Sequence, residues 1–183
     1  MSNKYHDITF TPTVKALQEQ NGSRRSYARF EMGDERAAEI GPAEAEFISA
    51  RDSFYMASVG ETSWPYIQHR GGPIGFLRIL SNKEIGFADF AGNRQFITLG
   101  NLKGDGRVSL FLMDYPNRAR LKLLGHARVS HDPEILAQLT MPDYGAKVER
   151  GIIIMVAALD WNCSQHITPR FSATELLSIQ EEH

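Results

Sequence analysis

Between Trp64 and Gly125 the chain collects the residue types that recognise an anionic small molecule. Trp64-Pro65-Tyr66-Ile67-Gln68-His69-Arg70-Gly71-Gly72-Pro73 sets an amide, an imidazole and a guanidinium beside paired glycines. Gly86-Phe87-Ala88-Asp89-Phe90-Ala91-Gly92-Asn93-Arg94-Gln95 repeats that mixture, and Arg118-Ala119-Arg120-Leu121-Lys122 adds alternating cations. Arg presents planar, bidentate donors, and Gly lets backbone N–H groups approach a ligand closely. The chemistry that fits is the holding of a phosphorylated cofactor at strand ends and turns.

Each group also has a plainer reading. Strand alternation puts Gln68 and Arg70 on one face and His69 on the other. His69 is then either a ligand contact or a surface histidine. Gly92-Asn93-Arg94-Gln95-Phe96-Ile97 predicts a helix start, with Asn93 as cap and Phe96 and Leu99 facing inward. A helix N-terminus with Arg94 beside it suits a phosphate; Arg94 as a solvated surface charge is the alternative. Asp89 either accepts a hydrogen bond from a ligand or caps the following turn. Arg120 and Lys122 share one face of a later strand, where solvent exposure is the ordinary fate.

Other chemistries find no support. The histidines (6, 69, 126, 131, 166 and 183) are scattered without ligand spacing, so no metal site is expected. The glycines match neither a dinucleotide-binding fingerprint nor a phosphate-binding P-loop. No pair of catalytic carboxylates stands out. Cys163 is the single cysteine, which excludes an internal disulfide and fits a reducing, cytoplasmic setting. The 183 residues carry a net charge of −2, with 42% hydrophobic and 23% charged residues. That is ordinary for a globular protein and lacks the basic face of a nucleic-acid binder. No apolar signal core opens the chain, and the longest apolar run, Ile152 to Leu159, is too short to span a bilayer. No membrane association is expected.

The elements that must position these groups follow from periodicity and punctuation. Thr11-Pro12 to Gly22 and Pro42 to Arg51 read as short helices, each with Pro in its first turn, the second burying Phe47 and Ile48. Ser23 to Glu39, with Arg24, Arg25, Arg29 and Arg36, reads as an arm or loop. Strands are predicted at 54–59, 66–69, 76–80, 85–90, 108–113 and 121–129, with a turn at Ser81-Asn82-Lys83. Ile152 to Leu159 reads as a central strand buried on both faces. Asp132-Pro133-Glu134 and Ser172-Ala173-Thr174-Glu175 are helix starts, the latter carrying Leu176, Leu177 and Ile179. The expectation is a mainly β, α+β protein of about six antiparallel strands with peripheral helices.

The order of these segments resembles the FMN-binding split barrels related to pyridoxamine 5′-phosphate oxidase. The resemblance runs from about Phe10 to Phe171. It includes the Trp64–Pro73 segment, Arg51-Asp52-Ser53-Phe54-Tyr55, Asp114-Tyr115-Pro116-Asn117-Arg118 and Trp161-Asn162-Cys163-Ser164-Gln165-His166-Ile167-Thr168-Pro169-Arg170-Phe171. It implies a six-stranded antiparallel split β-barrel at 51–171, with an N-terminal helical arm at 1–50 and a C-terminal helix at 172–183. It implies bound FMN contacted by Gln68, His69, Arg70, Asp89, Asn93, Arg94 and Gln95. It also implies a homodimer with flavin between subunits, where Arg120 and Lys122 reach across. Trp161, Gln165, His166 and Arg170 would help close a pocket for a small-molecule substrate or electron donor, or else pack an interface. The wider family uses FMN, a deazaflavin or haem on one scaffold. The leading expectation is an FMN-dependent oxidoreductase. A non-catalytic flavin or haem binder and a deazaflavin reductase are the alternatives.

Overall fold

The computed structural model describes residues 4–31, 39–161 and 163–181. Arg36, Asn162 and His183, singled out above, lie outside them. Three helices open the described chain: α1 (Lys4–Thr9), α2 (Pro12–Gln20) and α3 (Arg24–Glu31). Thr11 caps α2 through its side chain, as its position before Pro12 demands. Helix α3 replaces the arm or loop expected from residue 23 onward. Its first-turn Arg24 is held by Gln18 of α2 at 2.8 Å. Next comes α4 (Pro42–Ser49), which buries Ile48 completely.

The strands are β1 (Ser53–Val59), β2 (Pro65–Gly71), β3 (Arg78–Ile79), β4 (Glu84–Phe90), β5 (Arg107–Asp114), β6 (Ala119–Ser130) and β7 (Val148–Trp161). All seven join one antiparallel sheet in the order β2-β1-β5-β6-β7-β4-β3. Two expectations are thereby corrected. The strand count is seven, and the sheet ladder does not close on itself. Strand β6 stands at its middle; beside it the interior strand β7 buries Ile152, Ile153 and Ile154 fully, as a continuous β-branched run requires.

The expected strand over 76–80 shrinks to two residues. Gly75, at φ 80°, turns the chain so that Phe76 and Leu77 plug the core instead of joining the ladder. Phe76 stacks on Phe54 and meets Phe87 edge-on, which draws β1, the β2–β3 link and β4 around one core. Aromatic pairs of this geometry add about 0.5–1.5 kcal/mol beyond their burial. The sheet therefore curls, and its β2 edge faces β4 across the core without sharing backbone hydrogen bonds with it.

Helix α5 (Ile97–Gly104) lies between β4 and β5 in the chain and packs against β1 and β6. Helix α6 (Pro133–Leu139) starts on Asp132, whose carboxylate accepts the Glu134 and Ile135 N–H groups. The last helix, α7 (Ala173–Glu181), starts on a reciprocal pair of Ser172 and Glu175 bonds. No helix among the described residues is long and apolar enough to cross a membrane.

Candidate functional site

Where β2 faces β4, a cleft of about 380 Å3 opens. That volume lies within the range of about 300–1,000 Å3 for small-molecule sites. Tyr66 and residues 68–71 of β2, 87–90 of β4, the 91–96 turn and the first residues of α5 line it, and Glu149 closes one end.

The β2 alternation is as expected. Tyr66, Gln68 and Arg70 are half-buried toward the interior, while Ile67 and His69 are exposed on the other face. Arg70 reaches across the cleft to Asp89 of β4 at 3.1 Å, and its guanidinium sits 5.6 Å from the Phe87 ring centre. Asp89 also faces Arg150 at 3.6 Å, because Asp89 and Arg150 are register partners on β4 and β7. Arg150 in turn pairs with its neighbour Glu149. Arg70, Asp89, Arg150 and Glu149 thus form a chain of alternating charges, with Arg150 behind the cleft lining. The buried Nε of Arg70 and that of Arg150 have no hydrogen-bond acceptor. Buried donors of this kind are costly unless a ligand or water meets them.

The opposite wall is tied down by Gln68, whose side-chain oxygen accepts the Thr98 hydroxyl at 3.0 Å. Thr98 is buried in the first turn of α5. That bond consumes the Gln68 acceptor and leaves the amide N–H groups for another partner.

Helix α5 starts later than the sequence predicts. Asn93 does not cap it; its side chain accepts the Gln95 N–H in a turn three residues earlier. Arg94 and Phe96 both adopt the left-handed backbone conformation, at φ 60° and 57°. Phe96 occupies the cap position, with no side-chain cap bond, and is about half exposed, so it does not face inward. The early turns of α5 therefore present N–H groups that no cap side chain satisfies. Arg94 is exposed in the turn that leads to them, and no ion pair engages it among the described residues.

The cleft gathers Gln68, Arg70, Asp89, Asn93, Arg94 and Gln95 in one place. His69 borders it, but its ring lies edge-on against Tyr55, 5.6 Å away on the outer face. Arg120 and Lys122 are elsewhere, on the outer face of β6. Lys122 pairs with Asp160 at 3.8 Å and lies over the Tyr5 ring of α1. The C-terminal group is also remote. Trp161 donates to Glu44 of α4 at 2.7 Å and packs edge-on against Phe47. Gln165 and His166 are exposed, and Arg170 lies over the Tyr115 ring at the β5–β6 turn. Burial and the neighbouring Tyr55 raise the Tyr115 hydroxyl above its ordinary value, with Arg170 acting in the opposite direction. Glu149 and Trp161 are twelve residues apart on β7, roughly 40 Å of extended strand. Within the chain, then, the C-terminal group and the cleft sit toward opposite ends of the sheet.

Sequence reasoning missed Arg150, Glu149, Tyr66 and Thr98. A pair of opposite charges heading the long apolar run of β7 was the available signal for the first two. Thr98 carried none, since its role depends on facing Gln68.

No curated protein matches the chain in sequence. Solved structures do. An FMN-binding protein from Syntrophomonas wolfei is 11% identical with a TM-score of 0.54, over 79% of this chain and 97% of that one. HupZ of Group A Streptococcus is 14% identical with a TM-score of 0.54, over 72% and 99%. A putative pyridoxamine 5′-phosphate oxidase from Lactobacillus delbrueckii is 16% identical with a TM-score of 0.51, over 67% and 94%. Such identities establish a shared fold. A family model described as pyridoxamine 5′-phosphate oxidase matches residues 40–167, most of the chain and every wall of the cleft. The chain belongs to the pyridoxamine 5′-phosphate oxidase family.

Proposed function

We propose that the cleft binds FMN and that the protein is an FMN-dependent oxidoreductase. The observation that carries this reading is the convergence of Gln68 and Arg70 of β2 with the Asn93–Gln95 turn at the uncapped start of α5. The phosphate would take Arg94 and the α5 N–H groups, which combine a full charge with the positive end of the helix. The ribityl chain and ring edge would take the free Gln68 amide N–H groups and the orphaned Arg70 Nε. Asp89 would hold Arg70 and Arg150 in place instead of meeting the ligand directly.

Bound FMN supplies electron and hydride transfer, so the chain need provide only binding, orientation and ring electrostatics. This accounts for a cleft without an evident nucleophile. The family also supports a homodimer in which Arg120, Lys122, Trp161, Gln165, His166 and Arg170 serve the partner's cleft. Turned against Tyr55, the His69 ring favours flavin over haem, which needs an axial ligand.

The test is the absorbance of purified protein and a fluorescence titration with FMN. Blue absorbance bleached by dithionite is the expected result. A colourless protein that leaves added FMN fluorescence unchanged would overturn the reading.

A further inference from the structure

A second cavity, of about 390 Å3, lies on the β6 side of α5. Leu99 lines both cavities. Arg150 lines the second one while touching groups of the first: its Nε lies 3.6 Å from Asp89, and its guanidinium lies 5.7 Å from the Phe96 ring centre. One side-chain layer separates the two spaces.

The second cavity has a different character. Its floor is apolar, made by Leu102 of α5 and by Ala127 and Val129 of β6. Its rim is basic in residue type, with Lys103 in the last turn of α5, Arg128 on β6 and His131 just beyond it. No carboxylate lines it, whereas Asp89 and Glu149 both line the first cleft. Arg128 reaches Glu84 only at 3.5 Å with a half-exposed side chain, so that pair is weak. Among the described residues, no ion pair or side-chain hydrogen bond engages Lys103 or His131.

A buried or half-buried apolar floor beside exposed basic groups with no carboxylate among them suits one kind of ligand, which covers the first and meets the second. We propose that this cavity binds a small amphipathic anion: an aromatic or branched apolar body carrying a phosphate or a carboxylate. The body covers Leu102, Ala127 and Val129, and the oxyanion meets Lys103, Arg128 and His131. The site is built from residues that do not contact the cleft's own occupant, Leu99 and Arg150 excepted. It therefore stands whether or not the cleft holds flavin.

Amide chemical shifts of the full-length, isotope-labelled protein test it, during titration with phenyl phosphate, benzoate, inorganic phosphate and phenol. Phenyl phosphate should shift the amides of Lys103, Ala127, Val129 and His131. It should bind at least about tenfold more tightly than inorganic phosphate or phenol, since only it satisfies floor and rim together. Benzoate binding equally well would assign the carboxylate class, and weaker benzoate binding the phosphate class. Lys103→Glu should weaken phenyl phosphate at least about tenfold by reversing a rim charge, while FMN affinity and the melting temperature stay unchanged. Should Lys103→Glu fail to fold, His131→Gln should weaken the same probe about threefold. Inorganic phosphate as tight as phenyl phosphate, or phenol as tight, would overturn the amphipathic assignment. So would shifts confined to residues 89–96, or none at millimolar probe. Loss of FMN binding with these shifts intact would count against the flavin reading alone.

Discussion

Arg70 on β2 and Asp89 on β4 meet at 3.1 Å, although their strands stand first and sixth in the sheet. Side chains, not backbone bonds, span the mouth of the curled sheet there. The Gln68–Thr98 bond and the Phe54, Phe76 and Phe87 rings are the other ties across it. The ligand groups of the cleft hang from those same ties, so their geometry and the curl are one variable.

Arg94→Ala should weaken FMN about tenfold to a hundredfold and leave riboflavin almost unchanged. One charge-assisted hydrogen bond to the phosphate contributes about 1.5–3 kcal/mol, and riboflavin has no phosphate. Parallel fluorescence titrations decide it. Equal losses for both ligands would move Arg94 to another part of the cofactor.

Thr98→Val should cost about 0.5–1.5 kcal/mol, because the half-buried Gln68 oxygen loses its donor. Freed from Thr98, the Gln68 amide can rotate, so FMN and riboflavin should weaken together, unlike the Arg94 case. Thr98→Ser keeps the hydroxyl and should restore most of the binding. Thermal melts and the two titrations, read side by side, separate a loss of stability from a loss of orientation.

Acid should unfold the protein partly through Asp114. Burial alone would raise this carboxyl. The Asn117 backbone and side-chain donors, with Arg51, outweigh burial and hold it below its ordinary value of 3.8. Its contribution is therefore fully present above about pH 4 and is lost as pH falls through the lowered value. Arg51 donates to Asp114 at 3.0 Å and also to the Met113 and Phe47 carbonyls, pinning α4 to the end of β5. Asp114→Asn should flatten the acid limb of stability measured by denaturant melts from about pH 5 down to about pH 2. An unchanged acid limb would place the sensitivity in other carboxylates.

Gly125→Ala should destabilise by about 1–3 kcal/mol. A Cβ there would stand 2.6 Å from the Met155 carbonyl oxygen and 2.7 Å from Ile154. The β6–β7 register shifts beside this residue, between Leu124 and Gly125, so the two longest strands lean together over the missing side chain. Denaturant midpoints of wild type and variant measure the effect.

The protein should be a homodimer in solution. Tyr55, Phe111 and Lys122 form one row on the outer face of β1, β5 and β6, with Met113 two positions from Phe111. Phe111 and Met113 remain partly exposed and Tyr55 more so. Light scattering at micromolar concentration should give twice the 20.6 kDa chain mass. A monomer with cofactor bound would refute this.

Elements with strong local chemistry were legible in the sequence. The Ile152–Ile154 run announced a buried interior strand, and Asp132-Pro133 announced α6 with its cap. The pairing of Gln68 with Arg70 on one face followed from strand period alone. What escaped depended on distant partners or unmarked backbone. Asp89 read as either a ligand acceptor or a turn cap because its neighbour Arg150 lies 61 positions away and meets it only through the β4–β7 register. The delayed start of α5 rests on left-handed backbone at Arg94 and Phe96, residue types that do not advertise it. Helices α1 and α3 lacked apolar stripes strong enough to separate them from loops.

Because the sheet stays open, it has two outer edges through which another chain could extend it. One is β3, only two residues long. The other is β2, framed by Pro65 at its start and by Gly72-Pro73 just past its end. Proline has no N–H to give, and the Gly72 N–H is already committed to the Asp52 carbonyl at 2.9 Å. An incoming strand would thus find only two residues at β3, and at β2 a seven-residue template with proline at its start and just past its end. Growth by edge pairing is blocked on the β3 side and limited in length on the β2 side.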